Sequence, residues 1–555
     1  MRSACVLFAL LLTASTPPTA SPVLTAMRQE LDRSMATFKS QPSPPYFLSY
    51  AITETHDGQV DGAFGTITSS RDDRRRVLTT DLRVGSARFD NTHQVPGGFP
   101  MGFDRFSWTE VPLGDDAAAI RRVLWFDTDR KYKRAVEVYA EGKSNAQVAV
   151  APEDSSPDFA IEPPVHHIDA PTDIAIDARQ WEDRVRRYTA PFARYGDIYD
   201  GRAQLAATSE TRWYVNSDGS ELQMSRVYYR LTIYAFAQAD DGSILPRYES
   251  FVASTPGGLP DDSTILRKVD RMITDLHALK TAPVLEAYTA PAILSGRASG
   301  VFFHEVFGHR IEGHRQKQEW EGQTFKSKVG EKILPDAFSV VFDPTLRKLG
   351  GVELAGYYQY DDEGVESRRV DVVKNGVFQS FLMSRSPIAG FAHSNGHGRA
   401  ESGFSPVARQ SNLVVGSAQP VSRDSLKAML IALVKQQNKP YGLLFDDIEG
   451  GFTITARTIP NAFNVIPVMV YRIYPDGREE LVRGADLIGT PLTVFSKIIA
   501  ADGDVQVFNG VCGAESGWVP VSASSPDILI SQIEIQKKAK GADQAPILPA
   551  PEDHP

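Results

Sequence analysis

One ten-residue segment, Val301-Phe302-Phe303-His304-Glu305-Val306-Phe307-Gly308-His309-Arg310, constrains this chain more than any other. Two histidines and a carboxylate follow an apolar run, the arrangement by which metal hydrolases present two imidazole ligands and a general base. Helices of the H-E-x-x-H kind space their histidines four apart, on one face. Here the interval is five, because Gly308 stands where the second histidine would fall. Five residues of ideal helix turn through about 500°, so the imidazoles diverge by roughly 140° rather than about 40°. An undistorted helix cannot aim both at one ion. Glycine tolerates a widened turn or a helix end, either of which would restore the aim. The segment is an unusual metal site or a coincidence of composition.

Export and cysteine usage bear on that choice. Met1-Arg2 followed by the apolar run Ala4–Ala14, broken by Ser15-Thr16-Pro17-Pro18-Thr19-Ala20, reads as a secretory signal over residues 1–20. No other stretch is long enough to span a bilayer, so a secreted or periplasmic product with no membrane span is expected. Of the two cysteines, Cys5 leaves with the signal and Cys512 remains, unable to form an internal disulfide. A lone thiol in an oxidising compartment is a small buried hydrophobe, a metal ligand or a nucleophile. The net charge of -10 and the absence of a long basic block argue against nucleic acid as a partner.

With 555 residues, more than one core is expected. Helical spacing over Leu24–Gln41 and Pro260–Ala278, with a further helix near Gly114–Val123, alternates with strand-like runs at Phe47–Thr53, Ala63–Ser69, Arg76–Leu82, Arg212–Asn216 and Ser225–Ala237. Asp57-Gly58 and Asp61-Gly62 read as turns, and the Pro- and Asp-rich stretch 149–172 as a surface connector. Residues 21–286 thus form an N-terminal domain of mixed helices and strands. Beyond it, strands dominate, with hairpin turns at Asn375-Gly376 and Asp476-Gly477 and one helix at Ser422–Gln436. The expected class is α+β. An N-terminal α/β domain precedes a predominantly antiparallel β domain over 287–536 that carries the metal-site helix, and a disordered tail covers 537–555.

A catalytic zinc site has three protein ligands and an open position. His304 and His309 offer two nitrogens and Cys512 a thiolate, completing a His2Cys set; Fe(II) or Co(II) would also suit it. Glu305, beside the first ligand, is placed to act as general base. His314 and His397 are candidates for substrate binding, each weighed against a plain polar-surface role. Asp361-Asp362-Glu363 ahead of Gly364 reads as a turn rather than a calcium loop.

Residues 294 to about 535 resemble the TldD/PmbA family of metallopeptidases. The resemblance lies in Gly300 to His309 with Ile311-Glu312-Gly313, Asp361-Asp362-Glu363-Gly364, Lys374-Asn375-Gly376-Val377 and Arg399-Ala400-Glu401-Ser402. It continues in Gly484-Ala485-Asp486-Leu487-Ile488-Gly489, Asn509-Gly510-Val511-Cys512-Gly513 and Val519-Pro520-Val521. It implies zinc ligands at His304, His309 and Cys512, and Glu305 as base. It also implies cleavage of short or unfolded peptides bound as an extended strand, and a homodimer or a heterodimer with a PmbA-like paralogue. Residues before about 285 match the family loosely, so they carry no inherited specificity. The competing expectation is an inactive peptide-binding or assembly partner of the same fold, and a weaker third is a non-peptidic amidase.

Overall fold

The computed structural model describes residues 21–93, 108–146, 153–457, 463–489, 491–538 and 548. The expected signal, the start of the connector and nearly all of the tail lie outside these residues.

The N-terminal half is one antiparallel sheet with helices on one face. Strand Pro45–Ala63 pairs with Thr66–Ser86 on one side and Ile198–Asn216 on the other; Glu221–Gln238 and Ile244–Ala253 continue the sheet. Leu48, Tyr50, Ile52 and Val60 share a parity and therefore a face. Leu48, Tyr50 and Ile52 pack with helices α1 (Pro22–Phe38) and α2 (Ala117–Ala146), and Val60 packs with α3 (Ala178–Thr189) and α4 (Asp262–Thr281). This corrects the expected α/β domain: its helices do not cross over between parallel strands. The short strand His166–Ile168, inside the supposed connector, makes the one parallel pairing described there. Asp57-Gly58 and Asp61-Gly62 are not turns either, since both run within the long first strand; the hairpin reverses at Phe64-Gly65, both with positive φ.

The C-terminal half holds two sheets. A six-stranded sheet runs in the order Val377–Phe378, Val370–Lys374, Phe338–Phe342, Asn412–Ser417, Gly517–Ser525, Gln506–Ala514. Beside it, Gly442–Thr453, Tyr288–Leu294, Ile528–Lys537, Ala485–Gly489 and Phe463–Ile473 close into a small barrel, the first and last of these pairing with each other. Helix α5 (Gly296–Val306) follows the barrel strand Tyr288–Leu294. It starts at Ser295, whose hydroxyl accepts from Ala298 N and donates to the Asp446 carbonyl. Nearly all of α5 is buried, so small and apolar residues surround it apart from Arg297, Ser299, His304 and Glu305. Phe302 and the following Phe307 meet Phe463 and Phe325 edge-on, and Phe303 packs at a tilt on Phe495, all in one core. Helix α6 (Arg423–Gln436) covers the barrel's outside through Leu426 and Leu430.

Arg212 holds the two halves together by donating to the Asp362 carbonyl and pairing with its carboxylate, and Arg385 pairs with Asp218. The Asp361–Gly364 segment is a turn, as expected, with Gly364 at positive φ.

Candidate metal centre

The helix ends at Val306, and the chain passes through Phe307 into a 3-10 turn, Gly308–Ile311. That break answers the spacing problem. His304 leaves from the last turn of α5 and His309 from the tighter turn after it, with ring centroids 5.0 Å apart and planes at 83°. Gly308 has no left-handed backbone; its need is space. A Cβ there would lie 1.9 Å from Gln410 Oε1. The Gln410 amide uses that space to donate to the His304 carbonyl at 3.2 Å.

Cys512 comes from the edge strand of the six-stranded sheet, buried on its inner side. Its Sγ lies 3.3 Å from His309 Nε2, and one donor atom from each of His304, His309 and Cys512 falls within 4.8 Å of the others. Nitrogen and sulfur ligands on one tetrahedral zinc would stand about 3.6 Å apart, given Zn–N near 2.05 Å and Zn–S near 2.3 Å. Burial raises the Cys512 thiol, but His309 and His304 outweigh it and hold it well below the usual thiol range.

Glu305 Oε2 lies 4.0 Å from His309 Nε2 and is buried without a hydrogen-bond partner. Desolvation raises this carboxyl above the ordinary glutamate range. Its Cγ rests against Gly451 of the barrel, where a Cβ would approach to 2.7 Å.

Sequence reasoning assigned no role to a layer of charge behind the ligands. Glu312, fully buried, accepts from His309 Nδ1 at 3.3 Å and from Arg315 Nε at 2.8 Å. Burial opposes its ionisation, yet His309 and Arg315 overcome this and hold it at about 2. A carboxylate behind a ligating imidazole fixes its tautomer and aim. Arg315 also binds Glu321 and Glu515. Arg409 reaches Cys512, and Arg310 donates to the Glu305 carbonyl. The guanidinium groups of Arg310, Arg315 and Arg409 thus lie among the carboxylates of Glu305, Glu312, Glu321 and Glu515 and the Cys512 thiol. The donor set and the partnerless Glu305 oxygen fit a divalent ion of the zinc type. A sequence clue to the layer existed: Arg409-Gln410-Ser411-Asn412 is an unbroken polar run leading straight into a buried strand.

The two substrate candidates part company. His314 is buried beside the centre with Nε2 on Glu515 and Nδ1 lacking a partner. His397 is wholly buried; Nε2 meets Ser411 Oγ at 3.1 Å and Nδ1 meets Asn395. Burial leaves it neutral, its pKa lowered to about 3. It braces the 409–411 segment with no exposed surface, whereas the sequence offered it as a substrate-binding candidate or a polar surface group.

Residues 287–537 match the family model for the PmbA/TldA metallopeptidase C-terminal domain. A metalloprotease of Methanocaldococcus jannaschii is 28% identical over 230 residues, covering 41% of this chain and 47% of that protein. A zinc metalloprotease TldD homolog of Saccharolobus solfataricus is 24% identical over 250 residues, covering 44% and 51% respectively. The chain thus spans about half the length of these relatives. Among solved structures, TldE from Thermococcus kodakarensis superposes with a TM-score of 0.58 at 13% identity, covering 92% of this chain and 100% of that one. That likeness is one of fold.

Proposed function

Because this chain belongs to the TldD/PmbA family, we propose that it is a zinc-dependent metalloprotease cleaving short or unfolded peptides. The observation that carries the proposal is the convergence of His304, His309 and Cys512 beside the partnerless Glu305 carboxylate oxygen. These three residues would hold the ion. When bound, zinc supplies Lewis-acid chemistry, lowering the pKa of water and polarising a peptide carbonyl.

The protein's own groups do the rest. Glu305 takes the proton of the attacking water at Oε2 and passes it to the departing amine, and its upward-shifted carboxyl is suited to both steps. Glu312 keeps His309 oriented through Nδ1. His314 Nδ1, free of a partner, is the proposed contact for a polar atom of the substrate. The strand Gln506–Ala514 pairs on one side only among the described residues, so an extended peptide can add along its open edge next to Cys512. The proposal extends to assembly, as a homodimer or with a PmbA-like chain, and to export of the chain by residues 1–20.

Glu305→Gln should retain metal, measured by elemental analysis, while peptide cleavage falls by about a hundred- to ten-thousand-fold. Cleavage at the wild-type rate in that variant removes Glu305 as base. Protein purified anaerobically without metal, yet still binding peptides, would instead mark an inactive binding partner. Chromatography with and without a PmbA-like chain decides the assembly, and N-terminal sequencing of the mature chain tests export.

A further inference from the structure

The Cys512 thiol has a neighbour that ligation by itself does not require. Arg409 is wholly buried, and its Nη2 donates to the Cys512 carbonyl at 2.7 Å and to Sγ at 3.3 Å. Through Nη1 the same guanidinium donates to Ser516 Oγ at 2.8 Å and to the Gly517 carbonyl at 3.0 Å, gripping the hairpin on both sides of its turn. Its Nε faces Glu312 Oε1 at 3.6 Å, and the other oxygen of Glu312 holds His309 Nδ1. One buried cation therefore joins the sulfur ligand to the carboxylate behind an imidazole ligand. Core packing does not account for it, since burying a guanidinium is costly unless its donors are used.

We propose that Arg409 is a positioning residue that sets how strongly the Cys512 sulfur donates to the metal. This rests on the reading of His304, His309 and Cys512 as ligands. An N–H donated to a metal-bound thiolate draws charge from sulfur and leaves the ion a stronger Lewis acid. Glu312 acts in the opposite sense on the other side, since accepting the Nδ1 proton makes His309 Nε2 a better donor. The Arg409–Glu312 pair thus weakens one ligand and strengthens another. Arg409 also fixes the direction of Sγ, because it holds the backbone carbonyl of the same residue.

Cobalt(II) reports sulfur donation directly, through a thiolate-to-cobalt charge-transfer band in the near ultraviolet. Wild-type protein loaded with cobalt should show the band. Arg409→Met should move the band to longer wavelength, because sulfur without its donor gives up charge more easily, and should bind cobalt about 10- to 100-fold more weakly, because nothing then holds the Cys512 carbonyl and the direction of Sγ. Arg409→Lys keeps a cation opposite Glu312 but cannot span all of the acceptors; it should shift the band the same way by less. The lysine variant carries the test if the methionine variant fails to fold. Weaker binding with an unmoved band in the folded variants overturns the inference, leaving Arg409 a structural brace and the centre intact. A wild-type protein that binds cobalt without a thiolate band overturns the ligand assignment and the inference together.

Discussion

Two hairpins of this molecule are built from the same element and held by different forces. The N-terminal one pairs strands of 19 and 21 residues around the Phe64-Gly65 turn. Its middle carries Arg71, Asp72, Asp73, Arg74 and Arg75 on exposed positions, joined by surface ion pairs such as Arg74 with Glu54. The other pairs two strands of nine residues, Gln506–Ala514 and Gly517–Ser525, and carries Cys512. Its turn residue Glu515 is bound by His314 and Arg315, and Arg409 holds the residues on either side. Length and regular pairing suffice for the first. The second must aim one sulfur atom, and buried charge does the aiming. Surface pairs contribute little individually, whereas removing one partner of a buried network strands the others.

That contrast can be broken in order of expected effect. Arg315→Met would leave Glu312, Glu321 and Glu515 facing one another in a low-dielectric core. It should lower stability by about 3–5 kcal/mol, read as an earlier urea midpoint, and a loss under about 1 kcal/mol would make the network no stronger than a surface pair. Next comes Gly308→Ala, whose Cβ would strike Gln410 at 1.9 Å. A cost of about 1–3 kcal/mol is expected, with weaker metal binding. Adding Gln410→Ala should recover most of the stability; no recovery would mean that some other contact requires the glycine.

A smaller, pH-dependent effect is expected at the opposite end of α5. Asp527 accepts from Gly296 N at 2.7 Å, and burial with Asp502 nearby pushes its carboxyl up to about 6. A carboxyl with a raised folded-state pKa binds its proton more tightly in the native state. Its contribution to stability is complete below about pH 4 and is lost as pH rises through about 6. Asp527→Asn should therefore flatten melting temperature against pH across that window, and an unaltered slope would assign the dependence to other groups. Last is Arg74→Ala in the long hairpin, where the arginine is 41% exposed. The expected loss is under about 1 kcal/mol and should shrink in high salt; a larger loss would mean that the surface pairs hold this hairpin after all.

The parts of the fold legible in sequence were those with a strong apolar period. α1, α4 and α6 lie within a few residues of the helices expected at Leu24–Gln41, Pro260–Ala278 and Ser422–Gln436. α2 was expected to end near Val123 but runs to Ala146, because its later turns are largely charged and expose little periodicity. Asp57-Gly58 misled because a strand buried on one face tolerates both residues when neighbours on either side fix its pairing. The barrel depends on Tyr288–Leu294 pairing with the distant segments Gly442–Thr453 and Ile528–Lys537, which no local pattern encodes. At the site, the residue types of His304, His309 and Cys512 announced a ligand set, and the fold brings their side chains together. Glu312, Arg409 and Gln410 are polar residues of the kind that ordinarily face water, so their burial as a supporting layer shows only in three dimensions.

The position of α5 has a mechanical consequence. His304 hangs from a helix whose root is a barrel strand paired on both edges, whereas Cys512 belongs to the edge of the other sheet. An ion held by both would act as a rivet through a seam that is also closed by rings such as Phe307 against Phe378, by the Ser299–Ser525 hydroxyl contact and by the short Pro526-Asp527 link. Loading the metal would then stiffen the whole C-terminal half, and its release would be felt first as slippage of sheet against barrel.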